Sequence, residues 1–385
     1  MRHKIWWAAA ALGVAACGRD STAPSVVNDG VRSAFDRQEG EADDQEGRAG
    51  VFTLSNNAQN NMVIAFARES DGQLRAAGTF ATGGRGTGGG LGSQGAVVMS
   101  EDGKRLYAVN AGSNDITSFR VTDHGLVRVA TVWSGGTRPI SVAVGHGLLY
   151  VLNGGSAGNI TGFRAGMDGG LDAIPNSTRP LSSGASGPAQ VGITPSGRVL
   201  VVTEKATNKI TTYLVNGDGT PGAPVVNTSA GQTPFGFTFD QRGLLIVSEA
   251  FGGAPNASAA SSYSINADGT LDVISASVPT TETAACWFVV TKNGRFAYTT
   301  NTGSASVSGY AVENGALRLL DDDGKTGNTD PTPIDAALSV NSRYLYVLSG
   351  TSISAFRVNN HSGALTSVVS GVSGLPTGTV GLAAR

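Results

Sequence analysis

Short apolar runs bounded by turn residues fill this chain, and their order repeats. From Gly95 the chain reads Gly95-Ala96-Val97-Val98-Met99, then a turn at Glu101-Asp102-Gly103, then Arg105-Leu106-Tyr107-Ala108-Val109-Asn110. A loop leads into residues 115–121, Asp123-His124-Gly125 turns the chain again, and an apolar run over 126–133 follows. Runs this short, rich in Val and aromatics and separated by Asp-Gly-type turns, predict β-strands in an antiparallel meander of four. The same order recurs from Ile140, Ala189, Phe235, Ala284 and Ile334. The second strands align as 149–153, 200–204, 245–249, 297–301 and 345–349.

An aromatic residue marks each unit: Phe66, Phe119, Phe163, Tyr213, Tyr263, Tyr310 and Phe356. Their spacing of about 44 to 53 residues is the period of propeller blades. Ile or Val stands three positions before most of them, and a turn followed by Leu comes after most. The first unit, from about Val51, lacks an opening strand, while Gly381-Leu382-Ala383-Ala384-Arg385 matches one and has no successor. The predicted fold is therefore all-β: a seven-bladed β-propeller of four-stranded antiparallel blades over 50–385. The C-terminal strand completes the first blade, and radial closure protects the sheet edges.

The chain before residue 50 reads differently. Arg2 and Lys4 precede a short apolar run ending in Val14-Ala15-Ala16-Cys17, the pattern of a secretory signal over 1–16. The last four residues resemble a bacterial lipobox, which implies cleavage before Cys17 and lipidation of that residue. Residues 17–49 are polar, with Asp36, Glu39, Glu41, Asp43, Asp44 and Glu46 crowded together, and are expected to form a flexible acidic tether. The implied location is the cell envelope, with membrane attachment through lipid at Cys17 and sorting expected to an outer membrane or the cell surface. Cys17 and Cys286 are the two cysteines, so lipid on Cys17 leaves no intrachain disulfide. Cys286, in an apolar strand, is expected to be a buried small hydrophobe.

Net charge is −2 and basic residues are scattered, which argues against nucleic acid as a partner. Charged residues make up 15% of the chain and Gly accounts for 55 positions, a balance suited to a turn-dense β domain. No zinc-type Cys/His cluster is present, and no cofactor or metal is expected. The glycine run 83–90 lacks the Lys-Ser/Thr of a phosphate loop and precedes a strand. Asp321-Asp322-Asp323-Gly324 misses a calcium loop because Leu319 occupies the first ligand position. A monomer is expected.

The second-strand motif resembles the Tyr-Val-Thr-Asn-type repeat of the seven-bladed propeller lactonases, a family that includes 6-phosphogluconolactonase and the carboxymuconate cyclases. The resemblance spans about 50–385 and implies hydrolysis or isomerisation of a small lactone. Where the family pattern often has a His after a Pro at an opening strand, this chain has Pro139-Ile140, Pro188-Ala189-Gln190 and Pro234-Phe235. Its histidines, His3 apart, are His124, His146 and His361, all beside turns.

Chain direction brings strand starts, second-strand ends and interblade links to one rim of the channel, where propeller sites are built. Glu204 and Glu249 end second strands where other blades have Asn, and are the candidate acid/base pair. Gln94, Asn110, Arg138, Asn153, Gln190, Lys205, Asn301 and Asp335 are the candidate substrate-binding residues, with Lys205 or Arg138 suited to an anionic group. Two further readings use the same rim. One is a non-enzymatic surface propeller binding a glycan or protein; the other is a calcium ion held by Glu204, Glu249 and an Asn.

Overall fold

The computed structural model describes residues 50–368 and 371–385; the predicted signal, Cys17 and the acidic segment lie outside them. Seven antiparallel sheets follow one another around a ring. Blade 1 holds Gly50–Leu54, Met62–Arg68 and Leu74–Ala81, and its innermost strand is the C-terminal Val380–Ala384. Blades 2 to 7 open with Val97–Met99, Pro139–Gly145, Pro188–Ile193, Pro234–Phe239, Ala285–Val290 and Pro333–Leu338. Ring closure is as the sequence predicts: Val51 pairs with Ala384, Phe52 with Ala383 and Thr53 with Leu382. Thr53 Oγ1 also donates to Gly381 O at 2.7 Å. In blades 3, 6 and 7 the outer strand is broken into two short pieces that both pair with the third strand. The Asp321-Asp322-Asp323-Gly324 run fills the break in blade 6, where Asp321 accepts from Thr326 Oγ1 and Asp323 from Lys325 N.

All seven periodic aromatics lie in third strands and are buried. The repeated turns have a second use. Tyr150, Tyr298 and Tyr346, at one position of their second strands, donate to Gly219, Gly363 and Gly72 O of the next blade's outer turn. Ser118, Thr212 and Ser262 of third strands reach Gly169, Gly269 and Gly315 O in the same way. These turn glycines have positive φ, which aims the carbonyl at the preceding blade. These turns, Asp-Gly in four of the six, therefore also fasten six of the seven blades to the next one. The Asp supplies the local half: Asp168 and Asp268 carboxylates accept from the N–H two residues on.

Opening strands run from the rim that carries the interblade links toward the opposite face. Most begin with a bulge, as between Pro139 and Ser141, Pro188 and Gln190, and Pro333 and Asp335. A bulge changes which face the next side chain takes, and this shift decides what the rim presents.

Candidate functional site

The link between blades 1 and 2, residues 82–96, is much longer than its counterpart at 134–138, and it crosses the channel. Gln94 N donates to Ala189 O of blade 4 at 3.2 Å. The Gln94 amide bridges to blade 6, donating to Phe288 O at 2.9 Å and accepting from Phe288 N at 3.0 Å. Trp287 Nε1 donates to Ser93 O at 3.0 Å. Gly236 makes this crossing possible, because a Cβ there would stand 2.4 Å from Gln94 Oε1 and 2.5 Å from Cys286 O. The glycine run 83–90 thus belongs to a strap that floors the channel mouth.

Lys205 stands at the edge of this floor, just past the second strand of blade 4. Its Nζ donates to Gly92 O of the strap at 2.6 Å and to Pro188 O at 3.1 Å. The amine lies 4.5 Å from the Phe235 ring centre, and Phe235 packs on Trp287 with centroids 5.2 Å apart. The ring face favours an ammonium, but loss of solvent outweighs it. Burial first, and the nearby Arg138 guanidinium second, push Lys205 down to about 7. Arg138 is exposed, at positive φ, with its N–H held by Asn114 Oδ1. The structure therefore brings Lys205 and Arg138 together, as a half-buried amine beside an exposed guanidinium.

Apart from Gln94, which lies in the strap itself, the other predicted residues do not join them. Glu204 is fully buried and accepts from Ser182 N, Ser182 Oγ, Thr207 Oγ1 and Thr211 Oγ1. Glu249 is fully buried and accepts from Gly231 N, Ser261 Oγ and Ser277 Oγ. The two carboxylates share no partner; each ties its own blade to the preceding interblade link. Burial holds Glu249 above the usual carboxylate range, although its three donors pull the other way. Asn110, Asn153 and Asn301 occupy the same place in other blades. Their amides donate to Asp115 and Thr117, to Asn159 and Ser134, and to Ser306 and Ser308. Calcium coordination finds no support here, since among the described residues no three His, Cys, Asp or Glu gather.

Gln190 and Asp335 stitch adjacent opening strands. The Gln190 amide exchanges hydrogen bonds with Phe237 N and O, at 2.7 and 3.0 Å. Asp335, 1% exposed, accepts from Ala336 N and from Leu382 N of the closing strand, while Oδ2 has no partner. Burial drives its pKa well above the ordinary value, although the two backbone donors pull the other way. A raised folded pKa means the folded state binds the proton more tightly. Stability then falls as pH rises above the unfolded value near 3.8 toward the folded one. Asp335→Asn keeps the accepting oxygen and cannot ionise. It should melt higher than the parent at pH 7, with the gain vanishing toward pH 4; a pH-independent difference in melting scans would refute this.

Cys286 is fully buried in its apolar strand, as expected. The described histidines lie in turns, and His146 Nε2 contacts Pro195 O at 2.9 Å.

Sequence reasoning missed the strap, Ser93 and the Phe235–Trp287 wall as parts of one site. The unequal length of the 82–96 link was the available signal.

Comparison with known proteins agrees with the architecture. A protein from Bacteroides fragilis, provisionally assigned as a 6-phosphogluconolactonase, superimposes with a TM-score of 0.68 at 20% identity, covering 90% of this chain and 100% of its own. The periplasmic gluconolactonase of Pseudomonas aeruginosa gives 0.68 at 17% identity, covering 87% and 98%. A protein from Lactobacillus plantarum gives 0.70 at 18% identity, covering 88% and 99%. At these identities the likeness is one of fold. No curated protein sequence matches the chain. The profile of the lactonase family with a seven-bladed β-propeller matches residues 54–172, 167–288 and 260–380, which together take in nearly all of the described chain. The chain belongs to the seven-bladed β-propeller lactonase family.

Proposed function

We propose that this propeller hydrolyses a small sugar-derived lactone at the strap-floored mouth, with Lys205 as general base and Arg138 as the charge that receives the substrate's negative groups. The observation that carries this reading is the Lys205 amine, held by two carbonyls beside Phe235 and Arg138. A neutral amine has two hydrogens and one lone pair. Gly92 O and Pro188 O take both hydrogens, which leaves the lone pair for a water. The water oxygen attacks the lactone carbonyl carbon as its proton passes to Nζ. The ring C–O bond then breaks, and the leaving alkoxide takes the proton back from Nζ, giving a hydroxy acid. Arg138 compensates the negative charge that builds on the carbonyl oxygen.

The test is acid release at constant pH from a panel of sugar-derived and aromatic-derived lactones. Turnover of a sugar-derived lactone above background is expected. Retention of a glycan or protein on the rim without turnover of any lactone would overturn the reading in favour of a binding propeller.

Lipid attachment at Cys17 remains part of the proposal. Among the described residues no helix is long and apolar enough to cross a membrane, so attachment would rest on the acyl chains. Cys17→Ser should move the protein from the membrane to the soluble fraction. A variant that fractionates like the parent would refute the anchor, and mass spectrometry of the mature N-terminal peptide shows which group the sulfur carries.

A further inference from the structure

The face opposite the mouth carries the turns between opening and second strands and between third and fourth strands. There, around blades 6 and 7, lies a cleft of about 750 Å³. Its cationic lining includes Lys292 from blade 6 with Arg343 and Arg357 from blade 7, all exposed. No Asp or Glu lines it. The ion pairs of the described residues are Arg75–Glu69, Arg105–Asp102, Arg242–Asp240 and Lys325–Glu282, so none of these three cations has a carboxylate partner among them.

The neutral residues of the cleft are also donors. Asn293 spends its amide oxygen on Thr291 Oγ1 and Arg295 N, Asn341 on Ser339 Oγ and Arg343 N, and Asn359 on His361 N and Ser362 N. Each oxygen closes its own turn, which leaves the NH₂ group as the side of the amide that can meet a ligand. A cleft with three cations, three amide donors and no carboxylate suits a ligand that only accepts hydrogen bonds. Phosphate groups do this, and Arg binds them with paired N–H groups. Both arginines reach the cleft from the same edge of blade 7, Arg357 as the strand partner of Tyr344 and Arg343 from the turn just before it. Lys292 faces them from the neighbouring blade, its own N–H fixed by Ser342 Oγ at 2.8 Å. The cations are thus divided between two blades, which fits two separated phosphates, and the volume is that of a small-molecule site.

We propose that this cleft binds a small molecule carrying two phosphate groups, at a site separate from the channel mouth. It does not depend on the lactonase reading. The test is calorimetric titration of the full chain with pyrophosphate and with fructose 1,6-bisphosphate, against sodium chloride at equal ionic strength. Saturable binding by at least one phosphate probe is expected, weakened about tenfold or more in Arg343→Gln/Arg357→Gln. Both arginines are exposed, so the variant should melt like the parent, and its lactone hydrolysis should be unchanged. Lys292→Gln, on the other blade, should weaken binding independently. The proposal is overturned if neither probe binds beyond the chloride control, if the double variant and Lys292→Gln both bind like the parent, or if Lys205→Met abolishes binding while these variants do not.

Discussion

Replacing Lys205 with Met should lower kcat/KM for lactone hydrolysis by about 10²- to 10⁴-fold, the usual contribution of a general base. The fold should survive, because Met keeps the contact with Phe235 and a half-buried ammonium or amine is removed rather than created. The parent enzyme's pH profile carries the sign. Only the neutral amine can take a proton from water, so kcat/KM should rise with pH, pass half its maximum near the Lys205 value of about 7, and level off above it. Lys205→Arg separates the base from a mere anion holder. A guanidinium stays protonated throughout the working range. If Lys205 only attracts an anion, Arg should restore most of the activity; if it is the base, Arg should be as inactive as Met. Glu249→Gln serves as the control, expected to leave the pH profile in place and to lower stability, because the carboxylate is spent on Gly231, Ser261 and Ser277. Loss of the pH-dependent limb in Glu249→Gln, with Lys205→Met active, would reverse the assignment.

The contrast between these residues shows what a sequence of this kind makes legible. The blades could be read because each rests on short-range pattern: a buried aromatic such as Phe119 or Tyr213, an Asp-Gly turn, and a second strand ending in a polar residue. Ring closure could be read because one strand was missing at one end and spare at the other. The rim could not be read in the same way. Glu204 and Glu249 stood out because they replace Asn, but that substitution answers to the interblade links at Ser182 and Gly231, which the longer side chains reach. Whether such a side chain faces the channel depends on register, and bulges such as that between Pro188 and Gln190 shift it. The strap depends on contacts between Ser93 or Gln94 and Trp287 or Phe288, 194 residues apart, with no periodic counterpart in the other blades. Arg138 and Lys205 were both named from chemistry alone; only the fold reveals that they are neighbours and that Phe235 removes water from one of them.

Removing residues 381–385 should lower the melting temperature far more than removing five residues from 17–49. The closing strand supplies the pairs Val51–Ala384, Phe52–Ala383 and Thr53–Leu382, and Arg385 N donates to Gly50 O. Leu382 and Ala383 are buried, and Thr53 Oγ1 has its acceptor on Gly381. Losing a buried Leu and Ala together with several hydrogen bonds costs about 5 kcal/mol. In a domain of this size each kcal/mol moves the midpoint by roughly 1.4 °C, so a drop of about 7 °C is expected. Asp335 adds to the loss, because Leu382 N is one of its two donors and the carboxyl would remain in place without it. The truncation also leaves the Gly50–Leu54 strand with an open edge in the ring, a template for pairing with another chain. Light scattering during the melt should therefore rise early for this variant and not for the one shortened before residue 50. Equal midpoints for the two truncations would mean that the ring is held by the blade-to-blade clasps at Gly72, Gly219 and Gly363, with closure contributing little.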